Sequence, residues 1–127
     1  MQENNLFEYA VIRVVPRVER EEFINVGVIL YSRDQKFLQA LYTLDKARLQ
    51  SFFDKINIDE VAGHLQSIER ICKGGNGSGP IGQMDMASRF RWLTATRSTV
   101  VQTSKVHPGF CNNPREALQR LFEQLVA

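Results

Sequence analysis

Residues 85–111 hold the densest concentration of side chains able to do polar chemistry: Arg89, Arg91, Trp92, Arg97, Ser98, Lys105, His107 and Cys111. Four cations stand there against a single acid, Asp85, whereas residues 1–84 carry ten cations against eleven acids and residues 112–127 two against two. One segment therefore generates the whole basic surplus of a chain whose formal charge is only +2. Arginine presents a planar fork of donors that matches phosphate or carboxylate, and a tryptophan face accepts a base or a guanidinium. Arg89 and Trp92 lie one turn apart if the segment is helical, and Arg97 and Lys105 bracket the strand expected after it. The expected chemistry is recognition of an anion by Arg89, Trp92, Arg97, Ser98 and His107, with no residue assigned a catalytic role. Against it stands a purely structural use, in which Arg89 and Arg97 pair with acids such as Glu8, Glu22 or Asp85 while Trp92 packs inside. Eleven arginines against five lysines favour specific pairing over diffuse charge.

A second polar group is expected in the N-terminal strands. Arg13 and Asn25 interrupt apolar runs, and buried polar groups need partners, so Arg13, Glu22 and Asn25 are expected to form an internal network. If the two strands lie beside the basic segment's strand, Arg13 joins Arg97 in one ligand-binding set.

Other constellations fail on their context. Residues 77–82, GSGPIG, match the GxGxxG pattern but follow a helix rather than a strand, and Pro80 removes a donor. No Gly-Lys-Ser/Thr closes a P-loop. His64, Cys72, His107 and Cys111 lack the paired spacing of a zinc site, so no metal and no cofactor is expected. Ser98 has no base supplied nearby in sequence, a Cys111–His107 nucleophile pair is weighed but not adopted, and no HExxH, GxSxG or kinase signature occurs.

The elements that must position these groups follow from periodicity. Residues 7–15 and 23–31 are dense in aromatic and β-branched side chains and read as buried strands, with Asn25 and Gly27 sharing a face with Phe23, Ile29 and Tyr31. Gly27 in mid-strand marks a bulge or a close backbone approach. A polar turn leads to a third strand at 37–42, giving an antiparallel meander. The period then becomes helical: Asp45 caps a short helix with Leu49 and Phe52, and Asn57 or Asp59 opens another with Val61, Leu65, Ile68 and Cys72 in one stripe. Residues 73–80 read as a glycine-rich loop without regular structure. A helix at 85–95 carries Met86, Phe90 and Leu93, a fourth strand spans 99–103, and 106–109 reads as a turn. Asn113, Pro114 and Glu116 open the last helix at N-cap, N1 and N3. The expected fold is α+β: an antiparallel sheet of about four strands, a β-meander first, with helices packed on one face.

The 127 residues fit one domain, 1–127, able to stand alone or as a homo-oligomer. The N-terminus lacks the basic leader of a signal peptide and no run reaches the roughly 20 apolar residues that span a bilayer, so a cytoplasmic protein with two free thiols and no membrane contact is expected. A pI near 8.7 is too mild to imply nucleic acid.

The blocks YAVIRVVPRVEREEFINVGVILY and RFRWLTATRSTVVQTSKVHPG resemble the two signature blocks of the bacterial domain-of-unknown-function family 3037. The matching positions are Tyr9, Arg13, Pro16, Glu22, Phe23, Asn25, Gly27, Arg89, Trp92, Arg97, Ser98, His107 and Gly109. The resemblance implies a small bacterial cytoplasmic protein without established activity, often encoded beside a HipA-like kinase, which makes such a kinase the protein partner to consider. The leading expectation is a non-catalytic binding or accessory module using Arg13, Asn25, Arg89, Trp92, Arg97, Ser98 and His107 for an anionic ligand or a protein partner. The alternatives are a small enzyme on a phosphorylated or nucleotide-like substrate, with His107 as acid or base, and a weak nucleic-acid binder with Trp92 stacking.

Overall fold

A computed structural model describes residues 5–16, 22–97 and 99–127. Most of the connector expected at 17–22, and Ser98, lie outside the described residues. The element order is β1 (Asn5–Val14), β2 (Ile24–Ser32), β3 (Phe37–Tyr42), α1 (Lys46–Phe52), α2 (Ile58–Lys73), α3 (Gly79–Gly82), α4 (Met86–Leu93), β4 (Val101–Thr103), β5 (His107–Cys111) and α5 (Pro114–Leu125). The fold is α+β, and all strand pairings are antiparallel.

The expected meander forms one half of an open sheet, in the order β3-β2-β1. The far edge of β1 is shared by β4, facing Ile12 to Val14, and β5, facing Asn5 to Tyr9. These two strands are one edge interrupted at residues 104–106, so the five strands occupy four positions. At the break Ser104 donates its amide to the Val11 carbonyl (2.8 Å), and its hydroxyl accepts the Val11 amide (2.9 Å). A side-chain oxygen thus stands in for a missing ladder acceptor. The turn expected at 106–109 is instead the start of β5. In β5 the residues facing β1 alternate with residues facing outward, and Pro108, which has no N–H to donate, falls on the outward set.

Every residue from Val26 to Ser32 is buried, which requires cover on both faces of β2. Ile29 and Tyr31 pack with Leu49, Val61, Leu65 and Phe90 on one side. Val28 and Leu30 pack with Ala117, Leu118 and Leu121 of α5 on the other. The one-sided helical cover expected from the sequence holds for α1 to α4, while α5 closes the opposite face. A helix pattern shows that a stripe is buried, but the chain's return path decides against which face.

Ile12 pairs with Gly27 and Arg13 with Asn25, so Val26 is the extra residue of a bulge. The bulge resets the alternation. Asn25 ends on the α5 side, apart from Gly27, Ile29 and Tyr31, which corrects the face expected for it. Gly27 is required by a close approach: a Cβ there would lie 2.7 Å from both the Leu41 carbonyl oxygen and the Tyr42 Cβ.

The helices start where expected. Asp45, Asn57, Asp85 and Asn113 each accept a backbone amide of the first turn through the side chain. Around Asp85 that bond to the Ser88 amide holds the carboxyl below its ordinary range. Gly79 and Pro80, the end of the expected loop, instead open one helical turn over Gly79–Gly82, with Pro80 near N1.

Candidate functional site

Arg89 lies on α4 beside Phe90 and is 9% exposed. Its Nε donates to the Met84 carbonyl (3.0 Å), and its Nη1 donates to the carbonyls of Ile71 (2.9 Å) and Cys72 (2.8 Å). Ile71 and Cys72 belong to the last turn of α2, where helical carbonyls have no intrahelical donor. A guanidinium supplies both the donors and a positive charge at the negative end of the helix dipole. Gly74 follows with φ +69°, and a Cβ on it would come 2.7 Å from Arg89 Nη1. Arg89 therefore ties the end of α2 to the start of α4. Its partners are main-chain carbonyls, neither a ligand nor the acids considered from sequence.

The buried Cys72 thiol at the same junction has its pKa pushed up to about 12, chiefly by burial, with Arg89 opposing the shift. At pH 8 the thiolate is scarce and shielded, and Cys111 is 2% exposed. An aromatic disulfide reagent is expected to find no fast-reacting thiol in the native protein and two after unfolding; one rapid equivalent at pH 8 would contradict the burial. The folded thiol keeps its proton up to about 12 and the unfolded one only to its ordinary 9.0. This group's contribution to stability is thus complete below pH 9 and is lost as the pH climbs toward 12.

One turn beyond Arg89, Trp92 points outward and is 38% exposed. The Arg97 guanidinium stacks over its indole, 3.9 Å from the ring centroid, and donates to the Trp92 carbonyl. Neither contact neutralises the charge. The pair forms one wall of a groove of about 160 Å³ between α2, the end of α4 and β4. His64 and Ser67 line it from α2, and Thr99 and Gln102 from the chain entering and forming β4. His64 Nε2 lies 4.0 Å from Glu60 Oε1 one turn earlier on α2.

Of the seven residues expected to bind together, the six described ones are thus dispersed. Trp92 and Arg97 share the groove, and Arg89 lies beneath the adjoining helix junction. Arg13 and Asn25 oppose each other on the α5 side of the sheet. The Arg13 guanidinium stacks 4.0 Å from the centroid of Phe23, while Asn25 Nδ2 donates to the Leu125 carbonyl (3.1 Å). Arg13 Nε and Asn25 Oδ1 are buried without a hydrogen-bond partner among the described residues. Arg13 and Arg97 do not meet, although β1 and β4 are neighbours as required, because Arg13 faces away from the groove. His107 lies on β5 opposite Tyr9, its ring 5.4 Å from the tyrosine ring, and does not line the groove. Ser98 lies outside the described residues.

Sequence reasoning passed over His64 and Ser67 as groove residues. Their signal was present: they stand three apart on α2, beside the apolar stripe of the buried Leu65 and the half-buried Ile68. The groove holds no group of three or more metal-ligating side chains among the described residues. No helix among them is long and apolar enough to cross a membrane.

No curated protein and no solved structure matches the chain. A family model described as a protein of unknown function, DUF3037, matches residues 9–126, running from β1 through the groove to the end of α5. Since this match spans both expected signature blocks and nearly all of the 127 residues, the chain belongs to the DUF3037 family.

Proposed function

We propose that the protein is a non-catalytic binding module that takes a small anionic group, a phosphate or a carboxylate, in the groove beside Arg97 and Trp92. The observation that carries this reading is the Arg97 guanidinium, without an acid against it among the described residues and held over Trp92 beside the groove. Stacking fixes the orientation of the fork, which lowers the entropy lost when it grips a bidentate anion. Ser67 adds a hydroxyl donor. A volume of about 160 Å³ suits such a group and not a whole nucleotide, since pockets for larger ligands begin near roughly 300 Å³. The same group could be presented by an acidic or phosphorylated side chain of a protein partner, and a HipA-like kinase is the partner to test.

Trp92 is the chain's single tryptophan, so its fluorescence reports directly on the site. Titration with inorganic phosphate or a short dicarboxylate is expected to change it saturably, and Arg97→Ala to weaken the binding by roughly tenfold or more. No saturable change with either anion, or an unaltered affinity in Arg97→Ala, would overturn the reading. A complex with the kinase that survives Arg97→Ala would place the partner elsewhere.

One observation favours the enzymatic alternative: the groove contains a histidine with an acid one turn away, His64 and Glu60, in place of the expected His107. Turnover of a phosphorylated substrate that disappears in His64→Ala but persists in His107→Ala would establish it.

A further inference from the structure

The two edges of the sheet are protected unequally. The β4-β5 edge is broken at residues 104–106, and Pro108 faces outward with no amide to offer. Interruptions and prolines of this kind blunt an edge against pairing with another chain. The β3 edge has neither. Its six residues, FLQALY, contain no proline and no charge, and they pair with β2 from Ser32 to Gly27 without a bulge.

Which β3 groups face outward follows from one bond. The Thr43 amide donates to the Val26 carbonyl (2.8 Å), so odd-numbered residues along this strand turn their backbone groups toward β2. Leu38, Ala40 and Tyr42 then direct their N–H and C=O groups away from the sheet. No strand among the described residues lies beyond them. Beside this edge, on the α5 face, a groove of about 210 Å³ runs past Gln39, Ala40 and Leu41, with Arg115 and Gln119 of α5 on its far side.

We propose that β3 is a dimerisation edge, at which two copies of this chain pair antiparallel across a two-fold axis at Ala40. A two-fold axis perpendicular to the sheet keeps each face continuous, so opposed residues must lie on the same face. Centring the pair on Ala40 meets that condition. Ala40 faces Ala40, and Leu38 faces the partner's Tyr42. The three outward residues then become hydrogen-bonded pairs that exchange both N–H and C=O bonds. Every outward group of the row is matched by its own symmetry mate. On the α5 face Gln39 meets the partner's Leu41. No like charges oppose each other in this register, and the small Ala40 at the axis leaves room for close approach. A foreign strand could use the same donors, but a second copy brings an edge of equal length with no charge and no proline, so that nothing in the paired row repels or interrupts it.

Sedimentation over roughly 1–200 μM, a range that resolves micromolar dissociation, is expected to show a species of twice the 14.6 kDa chain mass. Ala40→Pro removes an outward donor while leaving the β2 ladder intact, and is expected to weaken association by roughly tenfold or more. Gln39→Lys sets two like charges diagonally across the axis at an exposed position, and is expected to weaken it in a salt-dependent way. The circular dichroism of both variants should match the parent, and if Ala40→Pro does not fold, Gln39→Lys decides. A parent protein that remains at 14.6 kDa throughout would overturn the proposal. So would a dimer whose affinity survives the folded variants.

Discussion

Replacing Arg89 by alanine is expected to lower the free energy of unfolding by about 4 kcal/mol, the sum of lost charge-assisted hydrogen bonds and an unfilled interior space. Three carbonyls, those of Ile71, Cys72 and Met84, lose their donor together, the first two in a buried place and the third in a partly buried one. The effect should exceed that of an exposed helix cap, because the Ile71 and Cys72 carbonyls left behind are buried. Arg89→Lys should recover little, since an ammonium on a flexible stem cannot address donors to the end of α2 and the start of α4 at once. Urea unfolding followed by circular dichroism checks this through the midpoint at constant slope. A loss below about 1 kcal/mol would mean that water reaches the carbonyls when the side chain is removed.

Gly27→Ala is expected to cost about 3 kcal/mol, at the upper end of what overpacking usually costs. The new methyl would press on the Leu41 carbonyl and the Tyr42 Cβ, both at 2.7 Å, and on Ile12 Cδ1 at 3.0 Å. Two of these three are fixed by the β2-β3 ladder and cannot swing aside. Gly63 supplies the contrast in the same protein, since a Cβ there meets nothing within 4 Å. On the exposed side of α2, Gly63→Ala should stabilise by roughly 0.5–1 kcal/mol through helix propensity and a less flexible unfolded chain. Thermal and urea unfolding of the two variants should therefore move in opposite directions. Equal shifts would show that glycine's backbone freedom, rather than the space available, dominates at residue 27.

Much of this architecture is legible in the amino-acid sequence. The starts of α2 and α5 can be read because a cap and an apolar stripe are local properties: Asn57 and Asn113 sit directly before the periodicity they initiate. β5 reads wrongly as a turn because proline and glycine are local turn signals, and only the neighbouring strand shows that Pro108 spends its missing amide on an open edge. The placement of α5 across the sheet from the other helices depends on the path of the chain, which no helical pattern contains. Asn25 changes face because a single inserted residue, Val26, reverses the alternation on either side of it.

The candidate site is half legible for a related reason. Residue type alone singles out Trp92 and Arg97, and they meet because five residues carry the chain from the end of α4 back over the indole. Arg89 carries the same chemical signal with a different outcome. Its partners are main-chain carbonyls, which every residue possesses and no composition reveals.

The central position of β1 also governs the order in which the sheet can be completed. Its pairing with β2 spans a short connection, but its other edge must wait for residues 101–111, with Val11 joined to Ser104 across 93 positions. Closing so long a loop is entropically slow, and a chain emerging from the ribosome presents β1 with one row of amides and carbonyls unclaimed until nearly all of it has been made. The meander can form early as a half-sheet, and the last quarter of the chain then acts as its lock, supplying both the missing strand and, in α5, the cover for the exposed face.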